Sequence, residues 1–326
     1  MPAAVGTDID RAASLLVQGG LVGFATETVY GLGANAYDVR TVARIFEAKE
    51  RPRFDPLIVH LGHAHWLSDI VTSVTPLAQR LIDAFWPGPL TLVLPKTDRV
   101  PDLVTAGLPT VGVRIPSHPS ALELLRRANV PVAAPSANLF GHVSPTMAQH
   151  VAEQLGERID YVLDGGACTV GVESTILDVS GERAILLRPG GLAVEVLEAE
   201  IGPIRMPAST SDTSEAQVSP GRLSRHYATR TPLKIAERAQ TPPVAHRVGL
   251  LTLVAEPGDE RYATVEVLSP RGDLAEAAAN LFAAMRRLDA RGLDGIVARL
   301  VPEAGLGRAI NDRLRRAARR SDASAC

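Results

Sequence analysis

Cysteine and long apolar runs are the first features that this sequence lacks. Only Cys168 and Cys326 occur in 326 residues, and two cysteines cannot form a framework of disulfides. No uncharged apolar run reaches the roughly 18 residues that a membrane helix requires, and we recognise no secretory signal peptide. We therefore expect a cytoplasmic protein that does not enter the membrane.

Lysine is also rare, because only Lys49, Lys96 and Lys234 occur and arginine supplies the other positive charges. The formal net charge is -2, so the chain has no overall basic field of the kind that attracts nucleic acid. This charge does not exclude weak contact with RNA. The length, with 46% hydrophobic and 21% charged residues, is typical of a globular protein with two domains.

Two common enzyme signatures are missing. No lysine follows a glycine, so the pattern G-x-x-x-x-G-K-[ST] is absent, and so is G-x-S-x-G. Residues 31–36 fit the loose dinucleotide pattern G-x-G-x-x-A, but that pattern should open a helix directly after a strand, whereas we predict a polar loop over 26–33. His60, His63 and His65 are spaced like metal ligands, yet no second acidic cluster accompanies them. Surface or hydrogen-bonded histidines are therefore favoured.

Apolar runs alternate with amphipathic helices along the first 200 or so residues. This order predicts an α/β fold in which helices flank a twisted sheet, and hairpin-like strands near its end indicate a mixed sheet. Composition changes at Gly202, after which Pro, Ser and Thr become frequent. We predict a first domain over 1–202, a linker over 203–232, and a smaller Rossmann-like α/β domain over 233–326.

A cationic loop follows a predicted helix and precedes the apolar run 57–61. Its sequence is Lys49-Glu50-Arg51-Pro52-Arg53-Phe54-Asp55-Pro56. The two prolines keep this backbone out of a helix. Cations held on stiff backbone beside a sheet suit an anionic, phosphate-bearing ligand, although a solvated charged turn is the simpler alternative.

Polar side chains also follow other predicted strands. Ser136 and Asn138 come just after the strand 130–134, where α/β sheets bind ligands. Ser144 precedes a helix N-terminus, and Arg188 ends a strand. Arg114 lies inside an apolar strand, so it requires a carboxylate or phosphate partner, which a structural ion pair could also supply. We predict that these residues and the cationic loop lie at the loop ends of one sheet.

Five short stretches of the first domain form a set. They are Thr26-Glu27-Thr28-Val29-Tyr30-Gly31-Leu32-Gly33, Lys49-x-Arg51-Pro52, Pro56-Leu57-Ile58-Val59-His60, Pro135-Ser136-Ala137-Asn138 with Ser144-Pro145-Thr146, and Gly171-Val172-Glu173-Ser174-Thr175. In this order and spacing they resemble the YrdC-type threonylcarbamoyl-AMP synthases, and the joint match is more specific than any single motif. Residues 219–228 and 305–314 resemble the long, two-domain form of that family, so the resemblance covers nearly the whole chain.

The resemblance implies a YrdC-like first domain and an activity. Such enzymes are nucleotidyltransferases that make threonylcarbamoyl-AMP and pyrophosphate from L-threonine, bicarbonate or CO2, and ATP. Mg²⁺ is expected as a cofactor that binds through the ATP phosphates. The product is expected to pass to a tRNA threonylcarbamoyl transferase complex, which modifies an adenosine next to the anticodon.

The resemblance also assigns residues. Lys49 and Arg51 are the expected catalytic residues, and no protein ligand to a metal is expected. The residues expected to bind ATP are Lys49, Arg51, Asp55, Thr110, Ser136, Asn138, Ser144, Arg188 and Tyr227. The residues expected around threonine are Thr28, His60, Arg114, Ala134 and Ser174.

Three positions depart from the family pattern. Ala25 stands where proline is frequent, and Asp55 stands where asparagine is usual. An acid beside a triphosphate repels it unless the acid is protonated or binds through a metal. The linker has Arg222-Leu223-Ser224 in place of Met-Lys-Tyr.

The linker contains a basic and aromatic stretch over residues 219–227 that is unlike a simple spacer. We predict that this stretch, with Tyr227, acts as a lid. Such a lid would exclude water from the reactive mixed anhydride.

Two alternative functions stay open. A non-catalytic RNA-binding module would use the terminal arginines, although on a helix such a run is also typical of a solvated face. Carbamoyl transfer to another acceptor, as in hydrogenase-maturation carbamoyltransferases, would require zinc-finger-like cysteines that two cysteines cannot supply. The terminal arginines are Arg313, Arg315, Arg316, Arg319 and Arg320.

Overall fold

The structure is a computed structural model, and it describes residues 3–206, 226–235 and 247–319. Residues 3–206 form a first unit of ten strands and eight helices. The strands are β1 (Ala4–Gly6), β2 (Val22–Phe24), β3 (Gly31–Asn35), β4 (Ile58–His60), β5 (Leu90–Pro95), β6 (Thr110–Arg114), β7 (Val132–Ala133), β8 (Tyr161–Leu163), β9 (Thr175–Asp178) and β10 (Ile185–Arg188). The helices are α1 (Ile9–Val17), α2 (Val39–Lys49), α3 (Leu67–Ile70), α4 (Pro76–Phe85), α5 (Asp102–Thr105), α6 (Pro119–Ala128), α7 (Ala148–Leu155) and α8 (Val194–Ile201).

The ten strands form one mixed sheet in the order β1-β8-β2-β3-β7-β4-β6-β5-β9-β10, which confirms the predicted fold class. β4 and β6 run parallel and pair His60 with Arg114, whereas β7 runs antiparallel to β4 and pairs Val132 with His60. The chain after β7 therefore returns toward the start of β4, where Ser136 pairs with Gly31. As a result, Ser136 and Arg114 lie at opposite ends of these strands. The predicted site residues are thus distributed over both ends of these strands of the one sheet.

Helix α2 delivers the chain to the cationic loop. The side chain of Asp38 accepts a hydrogen bond from the backbone N–H of Arg40, which caps the helix. At the other end Glu50 adopts the left-handed conformation with φ 54°, so the helix stops there. Lys49 is only 1% exposed and Arg51 only 6%. These two cations are thus buried, and the alternative of a solvated turn does not apply to them.

Glycines 31 and 33 belong to a strand rather than to a loop. Gly31 begins β3, so the predicted loop over 26–33 ends earlier than expected. A Cβ atom at Gly33 would lie 2.8 Å from Val132 Cγ1 and 2.9 Å from Phe24 Cε1. Close packing against neighbouring strands therefore explains this glycine. The dinucleotide pattern has no strand-turn-helix context here.

The second unit is a smaller α/β layer, as predicted. Its four strands are all parallel, in the order β11-β14-β12-β13, and two helices pack with them around a core of their own. The strands are β11 (Leu233–Ile235), β12 (Val248–Thr252), β13 (Thr264–Val267) and β14 (Gly295–Ala298), and the helices are α9 (Leu274–Asp289) and α10 (Gly307–Ala318).

The two units share apolar packing. Val29, Val143 and Val172 of the first unit belong to the same buried cluster as Phe282 of α9. Gly171, with φ 74°, approaches α9 so closely that a Cβ atom would lie 2.4 Å from Ala279 Cα. This contact seats the second unit directly behind the segment 171–174.

The structure describes only part of the predicted linker. Residues 207–225, which include most of the stretch 219–227 and all of Arg222-Leu223-Ser224, lie outside the described residues. The boundaries 1–202, 203–232 and 233–326 therefore stay predictions. Among the helices that the structure describes, none is long and apolar enough to cross a membrane.

Candidate active site

A cleft crosses the first unit from the cationic loop to the end of β6. It contains nine of the residues that the sequence assigned to ATP or threonine. Glu173 and arginine side chains of the first unit, with His226 and Tyr227 of the segment that precedes the second unit, complete its wall. The lining residues are Thr26, Thr28, Val29, Gly31, Arg51, Ile58, His60, Arg114, Ala134, Pro135, Ser136, Glu173, Ser174, Arg188, His226 and Tyr227.

Lys49 does not line the cleft, but its side chain binds the backbone of a segment that does. Its Nζ donates hydrogen bonds of 2.5 Å to the carbonyl oxygens of Ser136 and Asn138. Burial lowers the pKa of Lys49 well below its usual range, and the nearby Arg51 lowers it further. In this geometry the lysine shapes the turn 136–138 at the end of the cleft.

Arg51 lines the cleft and pairs with Asp55. Its guanidinium donates to the carbonyl oxygens of Asp55 and Pro56 at 3.2 and 2.9 Å, and it lies 2.9 Å from Asp55 Oδ2. Asp55 is fully buried and does not line the cleft. Its negative charge is paired with Arg51, and this pairing offsets the repulsion expected between Asp55 and a triphosphate. The predicted ATP contact of Asp55 gains no support from this position.

Three further predicted ATP residues lie outside the lining. Asn138 Nδ2 donates to the carbonyl oxygens of Leu139 and His142, and thus braces the turn that Lys49 also holds. The Oγ of Ser144 donates to Glu173 Oε1 at 2.5 Å, so it acts on the cleft through Glu173. Thr110 lies instead in a separate pocket of about 280 Å³.

At the opposite end of the cleft, Arg114 makes an ion pair that the sequence analysis did not assign. Its NH2 atom lies 2.5 Å from Glu27 Oε1, while NH1 donates to Thr28 Oγ1 at 2.9 Å and Nε donates to the carbonyl oxygen of Gly88. Burial raises the pKa of Glu27, but Arg114 outweighs burial and the net shift is downward. Glu27 lies within the stretch 26–33 that carries the family resemblance. The sequence did contain a signal for this pair, because Glu27 is acidic and Arg114 requires an anionic partner.

His60 stands next to Arg114 as a neutral ring. Burial, assisted by the charge of Arg114, lowers the pKa of His60 to about 3. The imidazole can therefore orient a substrate by hydrogen bonding but carries no charge at neutral pH. His63 and His65 stack on each other 5.1 Å apart, away from this cleft. Within the described residues, no group of three histidine, cysteine, aspartate or glutamate side chains could hold a metal ion.

The wall between the two ends is built from β9, β10 and the segment 171–174. Arg188 donates to the carbonyl oxygen of Ser174 at 2.9 Å and reaches Ser174 Oγ at 3.3 Å. Thr91 Oγ1 lies 2.8 Å from the same hydroxyl. Glu173 is held by Arg313, whose Nε lies 3.0 Å from Glu173 Oε2. Sequence reasoning missed this role of Glu173 and Arg313, because the partners are 140 residues apart.

Tyr227 closes the cleft from the segment that precedes the second unit. It adopts φ 65°, is fully buried and stacks on Phe282 with 5.5 Å between ring centroids. Burial raises the pKa of Tyr227 to about 12, so the phenol is protonated at neutral pH. His226 packs edge-on against Phe140 beside it. His226 and Tyr227, at the described end of the stretch predicted to act as a lid, thus line the cleft.

The carboxylates near the cleft are already paired with cations. Glu27 faces Arg114, Asp55 faces Arg51, and Glu173 accepts from Arg313 and Ser144. A magnesium site built by the protein would need carboxylate oxygens that are open to the ion. The described residues do not fit such a site.

The terminal arginines do not form one continuous basic face, because among the described residues only Arg315 and Arg319 are exposed, whereas Arg313 and Arg316 are buried. Arg313 is fully buried, Arg315 pairs with Glu303, and Arg316 pairs with Asp312 at 2.9 Å. Arg320 lies outside the described residues. This pairing gives the RNA-binding alternative no support from its best sequence feature.

Comparisons with known proteins bear on this geometry. A family model described as telomere recombination (Sua5, YciO and YrdC proteins) matches residues 14–190, and a model of the threonylcarbamoyl-AMP synthase C-terminal domain matches residues 192–319. The threonylcarbamoyl-AMP synthase of Bacillus subtilis is 44% identical over 320 residues, which cover 95% of this chain and 92% of that relative. The chain belongs to the threonylcarbamoyl-AMP synthase family.

Two further relatives show which form of the family this chain resembles. The crystal structure of Pyrococcus abyssi Sua5 complexed with L-threonine is 40% identical, covers 98% of each chain and gives a TM-score of 0.89. The threonylcarbamoyl-AMP synthase of Xanthomonas axonopodis pv. citri is 35% identical over 173 residues, which are 52% of this chain but 92% of that relative. The family therefore contains long and short chains, and this chain is similar to the long form, as the sequence predicted.

Proposed function

We propose that this chain is an L-threonylcarbamoyladenylate synthase, a nucleotidyltransferase that makes threonylcarbamoyl-AMP and pyrophosphate from L-threonine, bicarbonate or CO2, and ATP. The observation that carries the proposal is a single cleft with two chemically different ends. Arg51 and Ser136 lie at one end, Arg114 with His60 lies at the other, and Arg188 lies on the wall between them. One cleft thus presents separate groups for a nucleotide and for an amino acid.

The chemistry requires no nucleophile from the protein. The deprotonated amine of threonine adds to CO2 and forms a carbamate. A carbamate oxygen then attacks the α-phosphorus of ATP, and the bond to pyrophosphate breaks. The protein must align two anions and neutralise the charge that develops on the phosphates, which fixed cations achieve by positioning and electrostatics.

Each group in the cleft then has a defined task. Arg51 and Arg188 neutralise phosphate charge, and Lys49 holds the turn on which Ser136 is presented. Arg114 binds the threonine carboxylate with donors that Glu27 and Thr28 orient, while neutral His60 and Ser174 select the amino acid. Loss of one charged contact of this kind should reduce transition-state stabilisation by about 2 to 4 kcal/mol.

Several partners belong to the same proposal. Mg²⁺ enters bound to the phosphates of ATP, as part of that substrate. The product passes to a tRNA threonylcarbamoyl transferase complex in the cytoplasm, and any contact of this chain with tRNA is weak. Tyr227 and the preceding linker form the lid that keeps water from the mixed anhydride.

The direct test is pyrophosphate release from radiolabelled ATP by the purified protein. Threonine, bicarbonate and Mg²⁺ are omitted in turn, and we expect each omission to abolish release. Release that does not depend on threonine would overturn the substrate assignment. Full activity in a chain that is cut before Ser219, and thus lacks the stretch 219–227, would overturn the lid.

A further inference from the structure

One side chain of the second unit reaches the wall of the candidate active site. Arg313 projects from α10 and is fully buried. Its Nε and NH2 atoms lie 3.0 and 2.9 Å from Glu173 Oε2, and its NH1 donates to the carbonyl oxygen of Pro189 at 2.5 Å. Its guanidinium carbon lies 5.5 Å from the centre of the Tyr227 ring. The arginine thus joins the segment 171–174, the end of β10 and the segment that carries Tyr227.

The contact between Arg313 and Glu173 affects the cleft because of where Glu173 lies. It lines the cleft, on the side where Ser144 and Arg188 are assigned to ATP. A negative charge at that position opposes a bound triphosphate unless a fixed cation balances it. Burial alone would raise the pKa of Glu173, but Arg313 first and Arg188 second hold it at about 2, so the group is ionised at neutral pH.

Loss of Arg313 would leave the buried carboxylate with Arg188 as its nearest opposing charge. Arg188 is held on Ser174 in the structure, by the bonds to its carbonyl oxygen and hydroxyl. An unbalanced Glu173 would attract Arg188 away from that position and would also repel phosphate. Both effects weaken the binding of ATP more than the binding of threonine.

We propose that Arg313 is a positioning residue for ATP, which acts from the second unit by neutralising Glu173 and leaving Arg188 directed at the nucleotide. This inference rests on the proposed function, because that proposal assigns Arg188 to the phosphates of ATP. It also gives the second unit a task in the reaction, beyond the packing that it shares with the first unit.

The test compares four full-length variants with the unaltered protein: Arg313→Met, Arg313→Lys, the double variant Arg313→Met with Glu173→Gln, and the control Arg299→Met. Arg299 is a buried arginine of the second unit that pairs with Asp259, so its loss disturbs the same unit without touching the cleft. Threonine-dependent pyrophosphate release gives kcat and the KM of each substrate.

We expect Arg313→Met to raise the KM for ATP about tenfold or more while the KM for threonine stays within about twofold. Arg313→Lys should restore part of the ATP affinity. The double variant should return the KM for ATP to within about threefold of the unaltered protein, because the charge that needed balancing is gone. The control should leave both KM values unchanged.

A pH series adds a readout that a purely structural role would not move. In Arg313→Met, the buried Glu173 should have a raised pKa, so the KM for ATP should fall as the pH is lowered from 8.5 to 6 and the carboxylate is protonated. The other ionisable groups that interact with Glu173 are Arg188 of β10, His226 and Tyr227, while Asp312 of α10 contacts Arg313 itself. Burial places the pKa of His226 at about 3 and that of Tyr227 at about 12, so neither of these two titrates in this range.

Three outcomes would overturn the inference: equal increases in both KM values, an ATP effect that the double variant keeps, or an ATP effect in Arg313→Met that does not change with pH. If Arg313→Met does not fold, the double variant decides, because an ATP KM near that of the unaltered protein supports the inference and a tenfold increase refutes it. If the unaltered protein itself shows no threonine-dependent release, the proposed function fails instead.

Discussion

The substitution Arg114→Met separates a structural role of this arginine from its proposed contact with threonine. It removes the cation that faces Glu27, whose side chain is 6% exposed. Removal of one partner from a buried ion pair typically destabilises a protein by about 3 to 5 kcal/mol, because the other charge stays buried without compensation. Thr28 Oγ1 and the carbonyl oxygen of Gly88 lose a donor as well, but these losses overlap and we do not add them.

The pH dependence of this loss has a definite sign. In the unaltered protein the pKa of Glu27 is lowered, so its ion pair stabilises the fold above the pKa of the unfolded chain and is lost as the pH falls through the folded value. In Arg114→Met the cation that lowers the pKa of Glu27 is gone, so burial, which raises this pKa, is opposed only by backbone hydrogen bonds of Glu27 and Ser117. The stability difference between the two proteins should therefore be largest near pH 8 and smaller near pH 5, where Glu27 of the variant is increasingly protonated.

Urea unfolding followed by tryptophan fluorescence measures the effect, since both tryptophans, Trp66 and Trp86, lie in the first unit. The matched variant Arg114→Met with Glu27→Gln should regain most of the stability, because no buried charge is left, but it should not regain threonine-dependent activity. A loss below about 1 kcal/mol at pH 8, or one that does not vary with pH, would refute the ion-pair reasoning. Recovery of activity in the double variant would refute the proposed contact with threonine.

Three further predictions concern single residues. The ring of His60, with its pKa near 3, should show no titration in NMR spectra between pH 5 and 8, and a shift of its ring signals would contradict its burial. In a Cys326→Ser variant, burial of Cys168, which raises its thiol pKa to about 12, should prevent reaction with a thiol reagent at pH 8 until urea unfolds the protein; prompt labelling of the folded protein would contradict this. Ala106 adopts φ 54° at the end of α5, so Ala106→Gly should raise the free energy of unfolding by up to about 1 kcal/mol, whereas Ala106→Val should lower it.

The sequence predicted the type of fold because its signals are local. Asp38 caps α2, and the alternation of apolar runs with amphipathic helices recurs in the ten-stranded sheet. The loop predicted over 26–33 was partly wrong because the glycines of β3 are selected by close packing on Phe24 and Val132, which are distant in sequence from one another. Local pattern carries no information about such neighbours.

The candidate site was predicted in its composition but not in its pairings. The quoted motifs identified Arg51, Arg114 and Arg188, and all three line the cleft. The partners of these arginines were harder to predict from the sequence. The direction of β7 relative to β4, and the approach of α10 to the first unit, depend on the whole topology. Ion pairs such as Glu173 with Arg313 join residues that no local spacing relates.

The three valines that meet Phe282 have a consequence for chains of different length. If this chain ended near residue 206, Val29, Val143 and Val172 would face water as a patch beside the cleft, together with the segment that Gly171 brings against α9. A one-unit enzyme of the same fold must therefore carry polar side chains at these three positions, or cover them with a second molecule. Polar substitutions at these three valines are thus the first change to make when this protein is shortened. They must precede any attempt to preserve activity without the second unit.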